Sequence, residues 1–308
     1  MKSPIPGWKS WLRKSETIRS VSQKTAAADI VEYIRRMNEI QADARRSRDP
    51  LVKTRSFWRM EKLSAELLKR GEADLAFHDP RLVAEVRPIA HCGMGIGAVE
   101  KLGFQREELF AVIDRVAEID YKMFAYESIG AMLGVYEPGP FLRLARGLDA
   151  IGLIPMVPLQ RPRLEPFLER FSSIERRLLA HGFGRLLYFR NNSVEAAIRA
   201  ARRSPLDFAS CVRGIAFAFS MVNCRDVRPV MSHCYQPLDG PTAVAFEAGL
   251  VYALVFWEWM SPGFLDLYAT SDPILRNRWQ AARTEIEESR RLGFPQAFDL
   301  RLPIGHNN

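Results

Sequence analysis

Cysteine is scarce. Four in 308 residues (Cys92, Cys211, Cys224 and Cys234) cannot make a disulfide scaffold, so a core must hold the fold. None stands in a Cys-x-x-Cys pair and no His-x-x-x-His pair accompanies them, so His91-Cys92 and His233-Cys234 read as buried thiols and core histidines; no metal or cofactor is expected. Long apolar runs are also lacking. The longest, Ala243 to Met260, is interrupted by Glu247 and Glu258 and falls short of the roughly 18 charge-free residues of a spanning helix. The N-terminus has no continuous apolar segment before a small-residue cleavage site, so the expected compartment is the cytoplasm. No sustained two-residue alternation and no Asn-Gly turn between β-branched runs occurs, which excludes a hairpin-built fold. The phosphate loop ending in Gly-Lys-Ser/Thr, the Gly-x-Ser-x-Gly elbow and the aspartate-rich motif of terpene cyclases are absent.

What the chain does have is charge, unevenly placed. Residues 1–70 carry 17 Lys and Arg against 8 Asp and Glu, and residues 71–308 carry 27 against 28, so the net charge of +8 belongs to the N-terminal segment. Within it, Trp8, Trp11 and Leu12 fall at helical spacing among Lys9, Arg13 and Lys14. Residues 1–24 are therefore expected to form a basic arm whose tryptophans dock on the domain, and which could meet an acidic protein partner or an anionic membrane surface. The neutral remainder carries no groove-reading motif, which argues against nucleic acid.

Apolar periodicity predicts helices over residues 26–48, 56–70, 105–117, 121–136, 141–151, 167–189 (one helix or two abutting), 194–203, 206–222, 242–260 and 274–292. Four prolines between Leu153 and Pro166 mark a linker. The fold class is all-α, with a basic arm and first helix over residues 1–50 and a single helical domain over 51–308, divisible into two lobes at 153–166.

Five segments place a glycine inside an apolar run behind a polar residue: His91-Cys92-Gly93-Met94-Gly95-Ile96-Gly97, Glu127-Ser128-Ile129-Gly130, His181-Gly182-Phe183-Gly184, Arg213-Gly214 and Glu247-Ala248-Gly249. Taking Gly95, Gly130, Gly184, Gly214 and Gly249 as markers, they recur at 35, 54, 30 and 35 residues, which suggests an internally duplicated bundle or an irregular helical-repeat array. Glycine mid-helix costs about 1 kcal/mol relative to alanine, and close approach of neighbouring helices is the expected offset. The first segment also matches the Gly-x-Gly-x-x-Ala form of a dinucleotide loop, but no strand precedes it.

If the glycine faces converge, they bring polar groups to a space walled by aromatics, the usual make-up of a small-molecule pocket. On this reading Glu127, His181 and Glu247 are candidates for acid–base work, and His91, Cys92, Arg185, Arg213, Tyr188 and Phe217 for ligand contact. The plainer alternative is that each glutamate neutralises an arginine such as Arg185 or Arg213 in a buried pair.

The segments from Phe124 to Met132, His181 to Phe189 and Arg213 to Phe219 resemble an uncharacterised bacterial family whose members occur beside enediyne-type polyketide synthases, with a Gly-x-Gly-Arg-x-Leu-aromatic-Phe signature. The likeness covers roughly residues 80–225, and the chain departs from it at Glu127-Ser128, where the family has Glu-Gly. The resemblance implies an accessory protein of natural-product assembly and carries no catalytic residues with it. Three functions are therefore expected in order: an accessory protein binding a hydrophobic small molecule such as a polyene-like intermediate; an enzyme of cyclase, isomerase or hydrolase type in the same pocket; and a helical scaffold recruiting partners through the basic arm.

Overall fold

The computed structural model describes residues 29–71, 76–135, 164–169, 171–223, 238–267 and 273–292, and every regular element among them is helical. The expected helix at 141–151, nearly all of the linker at 153–166 and the arm at 1–24 lie outside the described residues. The helices are α1 (residues 29–46), α2 (Pro50–Arg70), α3 (Arg87–Leu102), α4 (Arg106–Val116), α5 (Lys122–Val135), α6 (Leu164–Leu168), α7 (Ser173–Asn191), α8 (Val194–Arg202), α9 (Phe208–Val222), α10 (Gly240–Met260), α11 (Phe264–Leu267) and α12 (Pro273–Leu292), with a 3-10 turn at Ala84–Val86.

Their ends follow from capping. Asp49 accepts the Leu51 N–H at 2.8 Å ahead of Pro50, so α2 starts six residues before the apolar pattern does, and it ends on Gly71 at φ 85°. Ser172 and Glu175 form a reciprocal capping box that splits the expected 167–189 helix into α6 and α7. Asp207 and Asp239 cap α9 and α10 through the N–H groups of Ser210 and Thr242. α1 belongs to the domain: Met37 is fully buried, Tyr33 Oη meets Ser64 Oγ at 2.8 Å, and one contiguous core runs from Tyr33 to Ile286.

Five helices pack side by side in chain order, and their contacts show their sense. Between α2 and α3, Gly93 lies on Glu61 and Gly97 on Ala65. Between α3 and α5, the His91 ring meets that of Tyr121, the residue just before α5, and Gly95 lies on Ala125. Between α5 and α7, Gly130 lies on Leu179 and Gly134 on Leu186; between α7 and α9, Gly184 lies on Cys211 and Tyr188 meets Phe219. Residue numbers rise together in each pair, so α2, α3, α5, α7 and α9 each run in the same sense as the next. Same-sense neighbours need a return between them, and among the described residues the chain makes it through α4 between α3 and α5 and through α8 between α7 and α9. This accounts for the uneven spacing of the first four glycine segments: each interval is one helix plus a return of whatever length. The recurrence matches a packing requirement of this row, and the internal duplication or repeat expected from it is not confirmed.

α10 instead crosses this row. Asp239 at its start pairs with Arg202 of α8, Gly249 lies on Arg213 of α9, Tyr252 reaches α5 and α7, and Phe256 meets Phe124 and Phe57. It is long and apolar enough to cross a membrane, but 67% of its apolar window is buried inside the fold. Its C-terminal end is tied to the start of the domain: the buried Lys53 Nζ donates to the Ala44 carbonyl at 2.7 Å and Ser261 Oγ at 2.6 Å, and Phe57 packs on Trp257 at 4.9 Å.

At nearly every glycine contact the obstruction is backbone. A Cβ at Gly182 would lie 1.7 Å from the Glu127 carbonyl oxygen, at Gly214 1.9 Å from that of His181, and at Gly130 2.0 Å from that of Leu179. Backbone cannot rotate away, so only glycine permits these separations.

Candidate functional site

The glycine contacts decide which side chains meet. Gly182 follows His181 and sits on the Glu127 carbonyl; Gly214 follows Arg213 and sits on the His181 carbonyl. The polar residues of α5, α7 and α9 are thereby brought to one level.

There, Glu127 is 1% exposed and His181 fully buried. Tyr252 of α10 donates its hydroxyl to Glu127 Oε1 at 2.8 Å. His181 Nδ1 lies 3.3 Å and Arg185 Nη1 3.5 Å from Oε2. The His181 contact is out of the hydrogen-bonding direction, and His181 Nε2 has no partner among the described residues. Phe217 closes one wall, with the Arg185 guanidinium 4.8 Å from its ring centre, Tyr252 at 5.3 Å and His181 at 5.8 Å. Arg213, one turn before Phe217 on α9, is half-buried; its Nε and that of Arg185 are buried donors without a described acceptor.

Burial alone pushes the Glu127 carboxyl up, but His181, Arg185 and the Tyr252 hydroxyl outweigh it and hold the group below the usual carboxylate range. Burial pushes the His181 imidazole down, opposed by Glu127 and assisted by Arg185 and Arg213. The pair is therefore carboxylate and neutral imidazole. The carboxylate stands 3.3 Å from Nδ1 without a hydrogen bond, so neither ring nitrogen has a partner among the described residues. Cys92 belongs to the same electrostatic neighbourhood, and burial pushes its thiol up to about 12, so it is uncharged.

Five sequence candidates thus come together (Glu127, His181, Arg185, Arg213 and Phe217), with Cys92 near them, and Tyr252 is the member that sequence reasoning missed. The buried glutamate–arginine pair expected as the plainer alternative is present as Glu127–Arg185, but His181 and Tyr252 share the same carboxylate. Three candidates are elsewhere. His91 has both ring nitrogens occupied, Nδ1 against the Arg87 carbonyl at 2.8 Å and Nε2 accepting the Glu118 N–H at 3.1 Å, between the Phe77 and Tyr121 rings; it is a core histidine. Glu247 is exposed on the outer face of α10. Tyr188 packs on Phe219 at 5.6 Å, at the far end of α7.

A groove of about 550 Å³ opens at the N-terminal ends of α7 and α9, lined by Leu168, Phe171, Arg177, Leu206 and Asp207 among others. Arg177, His181 and Arg185 are spaced by four along α7, one stripe running inward from the groove over roughly 12 Å. Among the described residues no group of three His, Cys, Asp or Glu side chains converges as a metal site. The His233-Cys234 dipeptide and Cys224 lie outside them.

Comparison of the chain with protein-family models, curated proteins and solved structures returns no match.

Proposed function

We propose that the protein binds a largely apolar small molecule in its interior, with the polar end of that molecule at the Glu127–His181–Arg185 cluster. The observation that carries this is His181 Nε2: a fully buried ring nitrogen without a partner among the described residues, beside an ionised carboxylate and against Phe217. A buried polar atom left unpaired costs about 1–3 kcal/mol, and a bound molecule that completes its hydrogen bonding removes that cost. The resemblance to the enediyne-associated family adds a polyene-like intermediate to the compounds worth testing. Calorimetric titration of the full chain with polyenes and fatty acyl compounds should give saturable binding that His181→Phe weakens. No heat from any of them up to their solubility limits would count against the reading.

A second reading is favoured by the surroundings of the same imidazole. A neutral histidine beside a carboxylate, with neither ring nitrogen hydrogen-bonded to a described residue, can serve as a general base, and Arg185 and Arg213 bring positive charge to the same cluster for an oxyanion formed by proton removal. Glu127→Gln and His181→Gln separate the two: loss of turnover with binding and folding intact indicates an enzyme, and parallel loss of binding indicates a carrier.

A further inference from the structure

Two guanidinium groups beside the site are short of acceptors. Arg213 makes no ion pair with a described residue, and its Nε and the Arg185 Nε are buried donors facing no described acceptor. Arginine retains its charge at every accessible pH, so these donors need an oxygen-rich acceptor with negative charge. The resident carboxylate does not serve: Glu127 already takes the Tyr252 hydroxyl on one oxygen and faces His181 and the Arg185 Nη1 with the other. Asp207, the acid closest to Arg213 along α9, is engaged by the N–H and hydroxyl of Ser210 at 2.9 and 2.5 Å. Glu61 of α2 lies on the Arg185 side of the cluster, and burial pushes its carboxyl up, which weakens it as a counter-ion.

The groove opens at the N-terminal ends of α7 and α9, the two helices that carry these donors. Its apolar lining (Leu168, Phe171 and Leu206) suits a hydrocarbon chain, and Arg177 stands where the stripe leading to His181 and Arg185 begins. Burial acts most strongly against the Arg213 charge and the Arg177 guanidinium adds to it, so the two groups are neighbours.

Resting on the interior-binding reading above, we infer that the ligand is a carboxylate-terminated hydrocarbon: its carboxylate is held by Arg213 and Arg185 beside His181, and its chain lies back along the groove between α6, α7 and α9. The carboxylate accepts from the two guanidinium groups in the forked geometry that arginine offers, while the chain covers Phe171 and Leu206.

The test uses a matched pair, dodecanoic acid and 1-dodecanol, titrated into the full-length protein at pH 7.5 and into Arg213→Gln and Arg213→Lys, with circular-dichroism melting to confirm folding. The acid should bind about tenfold tighter than the alcohol or better. Arg213→Gln should erase that preference and Arg213→Lys should keep part of it. Ser173→Trp, on the exposed rim of the groove, should slow association of the acid several-fold in stopped-flow measurements, as expected when access is obstructed. Equal binding of acid and alcohol, a preference that survives Arg213→Gln, or an unchanged association rate in Ser173→Trp overturns this inference and leaves interior binding standing. Failure of both compounds to bind overturns the interior-binding reading and this inference with it.

Discussion

Gly214→Ala adds one methyl group at a helix position, where intrinsic propensity favours alanine by about 1 kcal/mol. At an open helical site the substitution would stabilise. At Gly214 the new Cβ would stand 1.9 Å from the His181 carbonyl oxygen, 2.9 Å from its carbon and 3.0 Å from the Arg185 N, all backbone. An ordinary carbon–oxygen contact is roughly 3.3 Å, so α7 and α9 must part by more than about 1 Å or bend. Overpacking of this kind costs roughly 1–3 kcal/mol when side chains can yield, and here none can, so about 3–4 kcal/mol less the propensity gain leaves a net loss of about 2–3 kcal/mol. Gly240, the first residue of α10, has nothing within 4 Å of where its methyl group would stand and serves as the control: Gly240→Ala should be neutral or slightly stabilising. Urea unfolding at pH 7.5 measures both. Because the wall being pushed is His181 itself, Gly214→Ala should also weaken ligand binding more than its stability loss alone would. A Gly214→Ala protein as stable as the parent would refute the close-approach argument, because the sign of the effect is what distinguishes packing from propensity.

Other outcomes follow from buried groups. His91 is neutral and fully satisfied in the fold, its pKa lowered to about 3 by burial, whereas in the unfolded chain it takes a proton near 6.5. The unfolded state binds the extra proton first, so this contribution is complete above pH 6.5 and is lost as pH falls toward 3, by at most about 4–5 kcal/mol. A His91→Gln variant should show a shallower fall in stability between about pH 6 and pH 4; equal slopes in denaturant titrations would contradict the assignment. Tyr252→Phe removes the 2.8 Å donor to Glu127 Oε1 and should cost about 1–3 kcal/mol while raising the carboxyl pKa. Unchanged thermal unfolding of that variant would mean the bond contributes nothing.

Much of this was legible in the sequence because glycines act locally. His181-Gly182 and Arg213-Gly214 announce that a polar side chain stands beside a close-contact face, whereas the cap at Ser172 starts α7 inside a stretch whose apolar pattern runs on through it. For Glu247, rotation about the helix axis is the cause. At about 100° per residue, Glu127 lies some 60° from Gly130 and shares its face, while Glu247 lies about 200° from Gly249 and points away. By the same count Tyr252, three residues after Gly249, shares the inward face, and this was the signal that could have found it. His91 was different: one of its partners is four residues back, but the other is the backbone of Glu118, 27 residues on, which no local pattern reveals.

Because α5, α7 and α9 run in the same sense, their peptide dipoles add where those of an alternating bundle would cancel. Each contributes about half a positive charge at its N-terminal end, and for α7 and α9 that end is the mouth of the groove. The three-helix part of the molecule is thus electrically polarised along its helix axes. At that mouth the partial positive charge of the backbone is set against the cap carboxylates Glu175 and Asp207.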